Sequence, residues 1–350
     1  MKKIKLLLFI ALTTTAINAQ ILQNEDFNAL TIGNVGTNFT GETPGQGSFL
    51  SFAGNGNAPT TTTNAGNLNF QIVSTGNSST KGVQIQGPNG NGGGRYLWKD
   101  GLVAAFGART FGNNIIETEV DFYTGAATTS TGYTGIYLYN INEKVINGFV
   151  YTNNTGLLRG YAYTNFDGTI GSFPYNLAVG GLILTANTWY RLGFGYNTVT
   201  GQPTWRLNTS IGTISIPYTY WVTPTLAPFE IDLASEGGTA NSVSYSGIFD
   251  NFVVRASATD SLLENANFDI AASKFSVSPN PANDFISVTN SDNILVSGIS
   301  ITDLNGRVIK QNSYTKVSDI QVNISDLASG MYMMSITSDK GSVTKKIIKN

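Results

Sequence analysis

Three carboxylates at alternate positions stand out among the residues that could do chemistry: Glu117, Glu119 and Asp121, in the run Glu117-Thr-Glu-Val-Asp-Phe-Tyr-Thr124. In an extended strand every second side chain points the same way, so the three share one sheet face. Such a set could hold a ligand through its oxygens, but the plainer reading is a solvated face that carries charge, and that reading is preferred. The second group is aromatic. Tyr137 and Tyr139 share a strand face, as do Tyr161 and Tyr163. Flat rings with polar edges suit stacking on sugars, while cross-strand aromatic pairs also stabilise sheets by about 0.2–1 kcal/mol each. The third group is Glu25, Asp26 and Asp250, oxygen ligands of the kind a structural calcium takes if the first and last strands lie side by side. No Asp-x-Asp-x-Asp-Gly loop supports calcium, so an acidic patch or a salt-bridged turn is the alternative.

Two absences narrow the chemistry further. The chain has no His and no Cys. A Ser-His-Asp triad, a His-ligated zinc, imidazole acid–base catalysis, a thiol nucleophile and a disulfide framework are therefore excluded. Catalysis, if there is any, must run on carboxylates, Tyr, Lys or Arg. With 20 Lys+Arg against 22 Asp+Glu, the formal net charge is −2. No basic excess exists to hold a nucleic acid or an anionic membrane.

The elements that must position these groups are strands. The chain has 39 Gly and 11% aromatic residues, and no segment shows a period of 3.6 over ten residues. Alternating runs recur at 68–74, 82–86, 95–99, 115–123, 134–140, 148–152, 158–165, 189–197, 202–207, 212–216, 229–234 and 245–255. Many short strands at near-regular spacing predict an all-β, antiparallel jelly-roll sandwich. The Gly/Thr/Asn-rich stretch from about 29 to 66 reads as long surface loops, and Trp189 as a core residue.

Thr188-Trp-Tyr-Arg-Leu-Gly-Phe-Gly-Tyr-Asn197, Thr200-Gly201 and Thr204-Trp-Arg-Leu-Asn208 resemble a hairpin of the laminin-G/concanavalin A-like jelly rolls. Ser246-Gly-Ile-Phe-Asp-Asn-Phe-Val-Val-Arg255 resembles their closing strand. The resemblance implies that this strand lies beside the first, near 24–28. Glu119-Val-Asp121-Phe122 resembles the catalytic strand of the laminarinase/lichenase glycosidases. That family places an acid/base Glu five residues after the first Glu, and here the position is Thr124. Retaining hydrolysis needs two carboxyl groups about 5–5.5 Å apart, and Thr124 cannot supply the second.

The last quarter of the chain reads separately. Short alternating runs at 284–288, 299–303, 307–311, 320–324, 331–337 and 343–349 predict a small immunoglobulin-like β-sandwich. Asn305-Gly306 is a type I′ hairpin signal, and the Lys-bearing last run suits a sheet edge. Pro279-Asn280-Pro281, Asp303-Leu-Asn305-Gly306-Arg307, Leu327-Ala-Ser-Gly330-Met-Tyr332 and Lys345-Lys346, in that order, resemble the type A sorting domain of the type IX secretion system of Bacteroidota. This implies export across the outer membrane, with the secretion machinery and its sortase-like protease as partners. Release, or attachment to surface lipopolysaccharide, follows.

At the other end, Met1-Lys-Lys-Ile-Lys5 followed by Leu6-Leu-Leu-Phe-Ile-Ala-Leu12 and Ala19 reads as a secretory signal peptide. It is shorter than a membrane span needs. The expected organisation is a signal at 1–19, a jelly roll at 20–255, a linker at 256–274 and the sorting domain at 275–350. Within the linker, Asp260-Ser261-Leu262 fits the Asp-Ser/Thr-apolar pattern of Bacteroidota O-glycosylation. The expected product is a secreted or outer-surface protein that passes through the periplasm. Its jelly roll is expected to be a non-catalytic glycan- or surface-binding module. A polysaccharide hydrolase or lyase, and a passive matrix component, are the rivals.

Overall fold

The computed structural model describes residues 19–56, 64–207, 213–263, 275–290, 295–303, 307–338 and 341–350. Residues 1–18 of the expected signal peptide, the Asn305-Gly306 turn and residues 264–274 lie outside them. In chain order the body has strands β1 (Gln20–Glu25), β2 (Gly33–Asn34), β3 (Phe49–Gly54), β4 (Phe70–Val73), β5 (Gly82–Gln86) and β6 (Gly94–Lys99), then a short helix α1 (Leu102–Gly107). It continues through β7 (Ile115–Tyr123), β8 (Tyr133–Tyr139), β9 (Val145–Thr152), β10 (Leu157–Phe166), β11 (Thr169–Asn176) and β12 (Leu182–Ile183). It closes with β13 (Trp189–Asn197), β14 (Pro203–Leu207), β15 (Ile214–Ser215), β16 (Glu230–Glu236) and β17 (Ser246–Ser257).

These strands form two antiparallel sheets. One runs β15-β14-β13-β7-β17-β5-β4-β2, with β1 also on β17, and the other runs β11-β10-β9-β8-β16-β6-β3, with β12 on β10. The expected pairing of first and last strands is present, with Glu25 opposite Phe252. Alternation sends Ile116, Val120 and Phe122 of β7 inward against Ile136, Phe149 and Leu233 of the facing sheet, and Trp205 is fully buried between them. Each buried aromatic contributes on the order of 2–3 kcal/mol of transfer free energy.

Several readings need correction. The stretch read as surface loops contains β3, and Phe27 and Val35 in or near it are fully buried. Scattered apolar residues in a Gly-rich sequence conceal the period. Trp189 is half-buried and rests on Tyr123, with ring centroids 5.2 Å apart. Residues 256–263 are not a free linker. They complete β17 and fold back onto its sheet, where Leu262 is fully buried.

The C-terminal strands are β18 (Phe275–Ser278), β19 (Phe285–Asn290), β20 (Val296–Thr302), β21 (Val308–Val317), β22 (Ile320–Asn323), β23 (Gly330–Ser338) and β24 (Gly341–Lys349). They make sheets β18-β19-β22 and β21-β20-β23-β24 around one apolar core that includes Ile286, Val322, Ile301, Met334 and Val343. β24 ends its sheet, as expected of the Lys-bearing strand.

The Pro-Asn-Pro segment gains a physical role there. Pro279 and Pro281 have no N–H, and the Asn280 side chain does the pairing instead. Its amide donates to the Lys346 carbonyl at 2.8 Å, and its oxygen accepts the Ile348 N–H at 2.8 Å. Asp303 accepts both the N–H (3.0 Å) and Nε (3.1 Å) of Arg307, and the Tyr332 hydroxyl donates to the Ala328 carbonyl at 2.9 Å. Gly330 opens β23. Lys345 is half-buried, while Lys346 is exposed.

Candidate functional site

Glu117, Glu119 and Asp121 do share a face, but it is not solvated. They are 0%, 0% and 2% exposed. The register places Arg191 of β13 opposite Asp121 and Arg255 of β17 opposite Glu117. Arg191 donates to Glu119 at 3.1 Å and to Asp121 at 3.3 Å, and Arg255 donates to the other Glu119 oxygen.

The returning segment 257–263 seals this row. The Ser257 and Ser261 hydroxyls donate to Glu117 at 2.6 and 2.7 Å, and the Leu263 N–H donates to Glu119 at 2.8 Å. Gly193 leaves room for that segment, since a Cβ there would stand 3.1 Å from Leu263 Cδ2. Burial pushes the Glu117 carboxyl up, while Ser257, Ser261 and Arg255 pull it back. Among the described residues the row is a buried ionic network, its carboxylates covered and held by Arg191, Arg255 and the returning segment. Thr124 is also buried and donates to the Thr185 carbonyl at 2.8 Å. The Ser261 hydroxyl, in the Asp-Ser-Leu pattern, is taken up by Glu117.

Glu25, Asp26 and Asp250 do not converge. Glu25 pairs with Lys99 at 2.9 Å, and Asp26 accepts the Asn28 N–H at 3.0 Å in a local turn. Asp250 is fully buried and accepts from the Thr80 hydroxyl (2.7 Å), the Asn77 N–H (2.9 Å) and the Asn251 N–H (2.7 Å). Burial outweighs these bonds and raises its pKa to about 7. Among the described residues, no group of three or more Asp or Glu side chains is arranged to hold a metal.

The tyrosines fare differently. Tyr137, Tyr139 and Tyr161 lie together on the outer face of the second sheet. The Tyr137 ring meets Tyr139 at 6.0 Å and Tyr161 at 6.1 Å, both edge-on. Tyr163 continues the same face of β10, with the Lys144 ammonium 5.5 Å from its ring centre.

Two glycines make this aromatic floor possible. A Cβ on Gly135 would stand 2.4 Å from the Tyr137 ring, and one on Gly94 would stand 2.5 Å from the Tyr96 ring. In both Gly94-Arg-Tyr96 and Gly135-Ile-Tyr137 the ring folds back over the glycine two positions earlier on the same face. Tyr137 thereby lies almost flat in the sheet surface and is 4% exposed.

The floor lies in a two-lobed cleft. One lobe, about 370 Å³, is lined by Tyr133, Tyr137, Tyr161, Arg159 and Glu236. The other, about 550 Å³, is lined by Phe52, Tyr96, Trp98, Glu143, Glu230 and Asp232, and Tyr139 borders both.

β16 supplies the acids, because Glu230, Asp232 and Glu236 alternate outward while Ile231 and Leu233 enter the core. The Tyr96 hydroxyl donates to Glu236 at 2.5 Å. Asp232 is 6% exposed, and its Oδ1 is buried without a hydrogen-bond partner. Burial, then Glu230 and Glu236, push its carboxyl well above the usual carboxylate range. Glu230 is raised by burial and by Asp100 and Glu143.

Sequence reasoning missed this acidic row. The expected strand at 229–234 puts Glu230 and Asp232 on one face, which is the signal that could have found them.

Residues 276–350 match the family of secretion system C-terminal sorting domains. No curated protein matches the chain. Solved structures similar to it include alginate lyase vAL-1 from Chlorella virus, at 13% identity and TM-score 0.35, covering 53% of this chain and 88% of that one. Family 7 alginate lyase A1-II′ with substrate is similar at 11% identity and TM-score 0.40, covering 55% and 83%. A botulinum neurotoxin type C structure, described with two ganglioside molecules, is similar at 9% identity and TM-score 0.40, covering 89% and 71%.

Proposed function

We propose that this protein, whose tail directs it through the type IX secretion machinery to the cell surface or the extracellular space, carries a saccharide-binding face on its jelly roll. The single supporting observation is the cleft in which Tyr137, Tyr139, Tyr161, Tyr96 and Trp98 present rings around an acidic strand. Pyranose rings have apolar C–H faces and polar rims. A floor of aromatic rings with carboxylates and Arg159 at its edges matches both. Preformed aromatic walls also bind with little loss of side-chain freedom.

The test is glycan-array binding followed by titration of the purified chain with the best oligosaccharide. Trp98→Ala and Tyr161→Ala should each weaken binding about tenfold or more, a loss of about 1.4 kcal/mol. Full retention of affinity in both variants, or no binding to any glycan by folded protein, would sink the reading.

One observation favours a second reading, a polysaccharide hydrolase or lyase at the same cleft. Asp232 holds its proton well above the usual range, as a general acid must, and Glu230 is its neighbour on that face. Release of reducing ends or of unsaturated products, lost in Asp232→Asn, would establish catalysis there.

A further inference from the structure

We infer that the lobe between Phe52, Tyr96, Trp98 and Tyr139 is a subsite for a protonated amine, so that the saccharide it takes is an amino sugar with its amine free. This rests on the saccharide-binding reading and sharpens it. Four rings and three carboxylates, Glu143, Glu230 and Asp232, line this lobe, and no Lys or Arg is among its described lining residues. Aromatic faces and carboxylates together are the combination that attracts an ammonium group.

The opposite face of the molecule shows what the chain does where it neutralises acids itself. There Arg191 and Arg255 stand directly across from the acids of β7. On β16 the cross-strand partners of Asp232 are Trp98 and Tyr137, and that of Glu230 is Tyr139. Asp232 is nine-tenths buried and lines the lobe, and its Oδ1 is without a hydrogen-bond partner. A buried polar atom of this kind in a cleft wall can accept a donor from a ligand.

A neutral hydroxyl could satisfy that oxygen but would bring no counter-charge to Glu143 and Glu230 beside it. A uronate would add to them. An ammonium group does both jobs. Glu230 and Asp232 are spaced about 6.6 Å apart along the strand, two residues at about 3.3 Å each, so one aminohexose can meet both. The other lobe, with Arg159 at its edge, does not share this character.

The test compares a glucosamine hexamer with the N-acetylglucosamine hexamer by calorimetry on the purified full chain. The free-amine oligomer should bind at least about tenfold tighter at low salt, and the ratio should shrink as salt screens the charges. Asp232→Asn should bring the ratio toward one. Glu230→Gln, at a half-exposed position, is the second variant should Asp232→Asn fail to fold. Equal or tighter binding of the acetylated oligomer, or of an oligouronate, would overturn the inference while leaving the saccharide-binding face intact. An oligolysine that binds as well as the amino sugar would also overturn it, because the site would then read charge without sugar. Absence of binding to every saccharide would remove the face and the subsite together.

Discussion

Replacing Arg255 by Met tests whether the acids of β7 are structural. Arg255 is 2% exposed and donates to Glu119, and its Nε lies 3.8 Å from Glu117. Met keeps most of the volume and removes the charge. Glu119 would then keep Arg191 at 3.1 Å and the Leu263 N–H at 2.8 Å, and Glu117 would keep only neutral donors. Removing one member of a buried ionic network costs about 3–5 kcal/mol, because the remaining charge stays buried without its counterpart. For a body of this size about 1 kcal/mol moves the melting temperature by about 2–4 °C, so the drop should be about 6–20 °C. Urea unfolding followed by Trp fluorescence reads this out, since Trp205 is fully buried in the same body. Adding Glu119→Leu to Arg255→Met should recover part of the loss, with a coupling of about 1 kcal/mol or more. A cost below about 1 kcal/mol for Arg255→Met, or strict additivity in the double variant, would refute the network as a structural clamp.

Gly135→Ala should cost about 1–3 kcal/mol by forcing the Tyr137 ring up from the floor, and it should weaken saccharide binding as well. Stability should also fall with rising pH. Asp250 takes a proton more readily when folded, at about 7 against an ordinary aspartate value of 3.8, so its contribution is full below about pH 4, declines between those values and is lost above about pH 7. Melting curves should show that slope, and Asp250→Asn should lessen it, the raised carboxyls of Glu117, Glu230 and Asp232 supplying the rest; a stability that rises over this range would contradict the burial argument. Deleting Phe275–Asn350 should leave the body inside the cell envelope, which fractionation and immunoblotting would detect. Asn280→Ala should loosen the contact between the Pro-Asn-Pro segment and β24, read as faster amide exchange at Ile348.

The strands were legible because their period is local. The expected runs at 82–86, 115–123 and 189–197 coincide with β5, β7 and β13. β3 was hidden because its neighbours in sequence are glycines and threonines, while its partner Gly94–Lys99 lies far along the chain. The tyrosine face was legible in part. Alternation gives Tyr137 and Tyr139 one face, but not that β16 lies beside them and delivers Asp232 opposite Tyr137. The glycines under Tyr96 and Tyr137 were invisible as function, since a Gly two residues before a Tyr means something only when the ring is seen to fold over it.

The two acidic rows argue most clearly about what a sequence leaves open. Glu117-Thr-Glu-Val-Asp121 and Glu230-Ile-Asp232 carry the same alternation of carboxylates with inward-facing uncharged side chains. Nothing within either run separates them. Their fates differ because β7 lies between two strands that each bring an arginine, and because residues 257–263 return to cover it. β16 lies between β6 and β8, which bring tyrosines and a tryptophan. The same acids are therefore neutralised in one sheet and left facing a cleft in the other. Cross-strand neighbours, set by topology, decide which carboxylates are available to a ligand. Exchanging them should reverse the outcome: an Arg introduced as Tyr137→Arg, opposite Asp232, should satisfy its free oxygen, raise the melting temperature and abolish the preference for a free amine. If the amine preference survived that substitution, the charge of the β16 row would not be what selects the ligand.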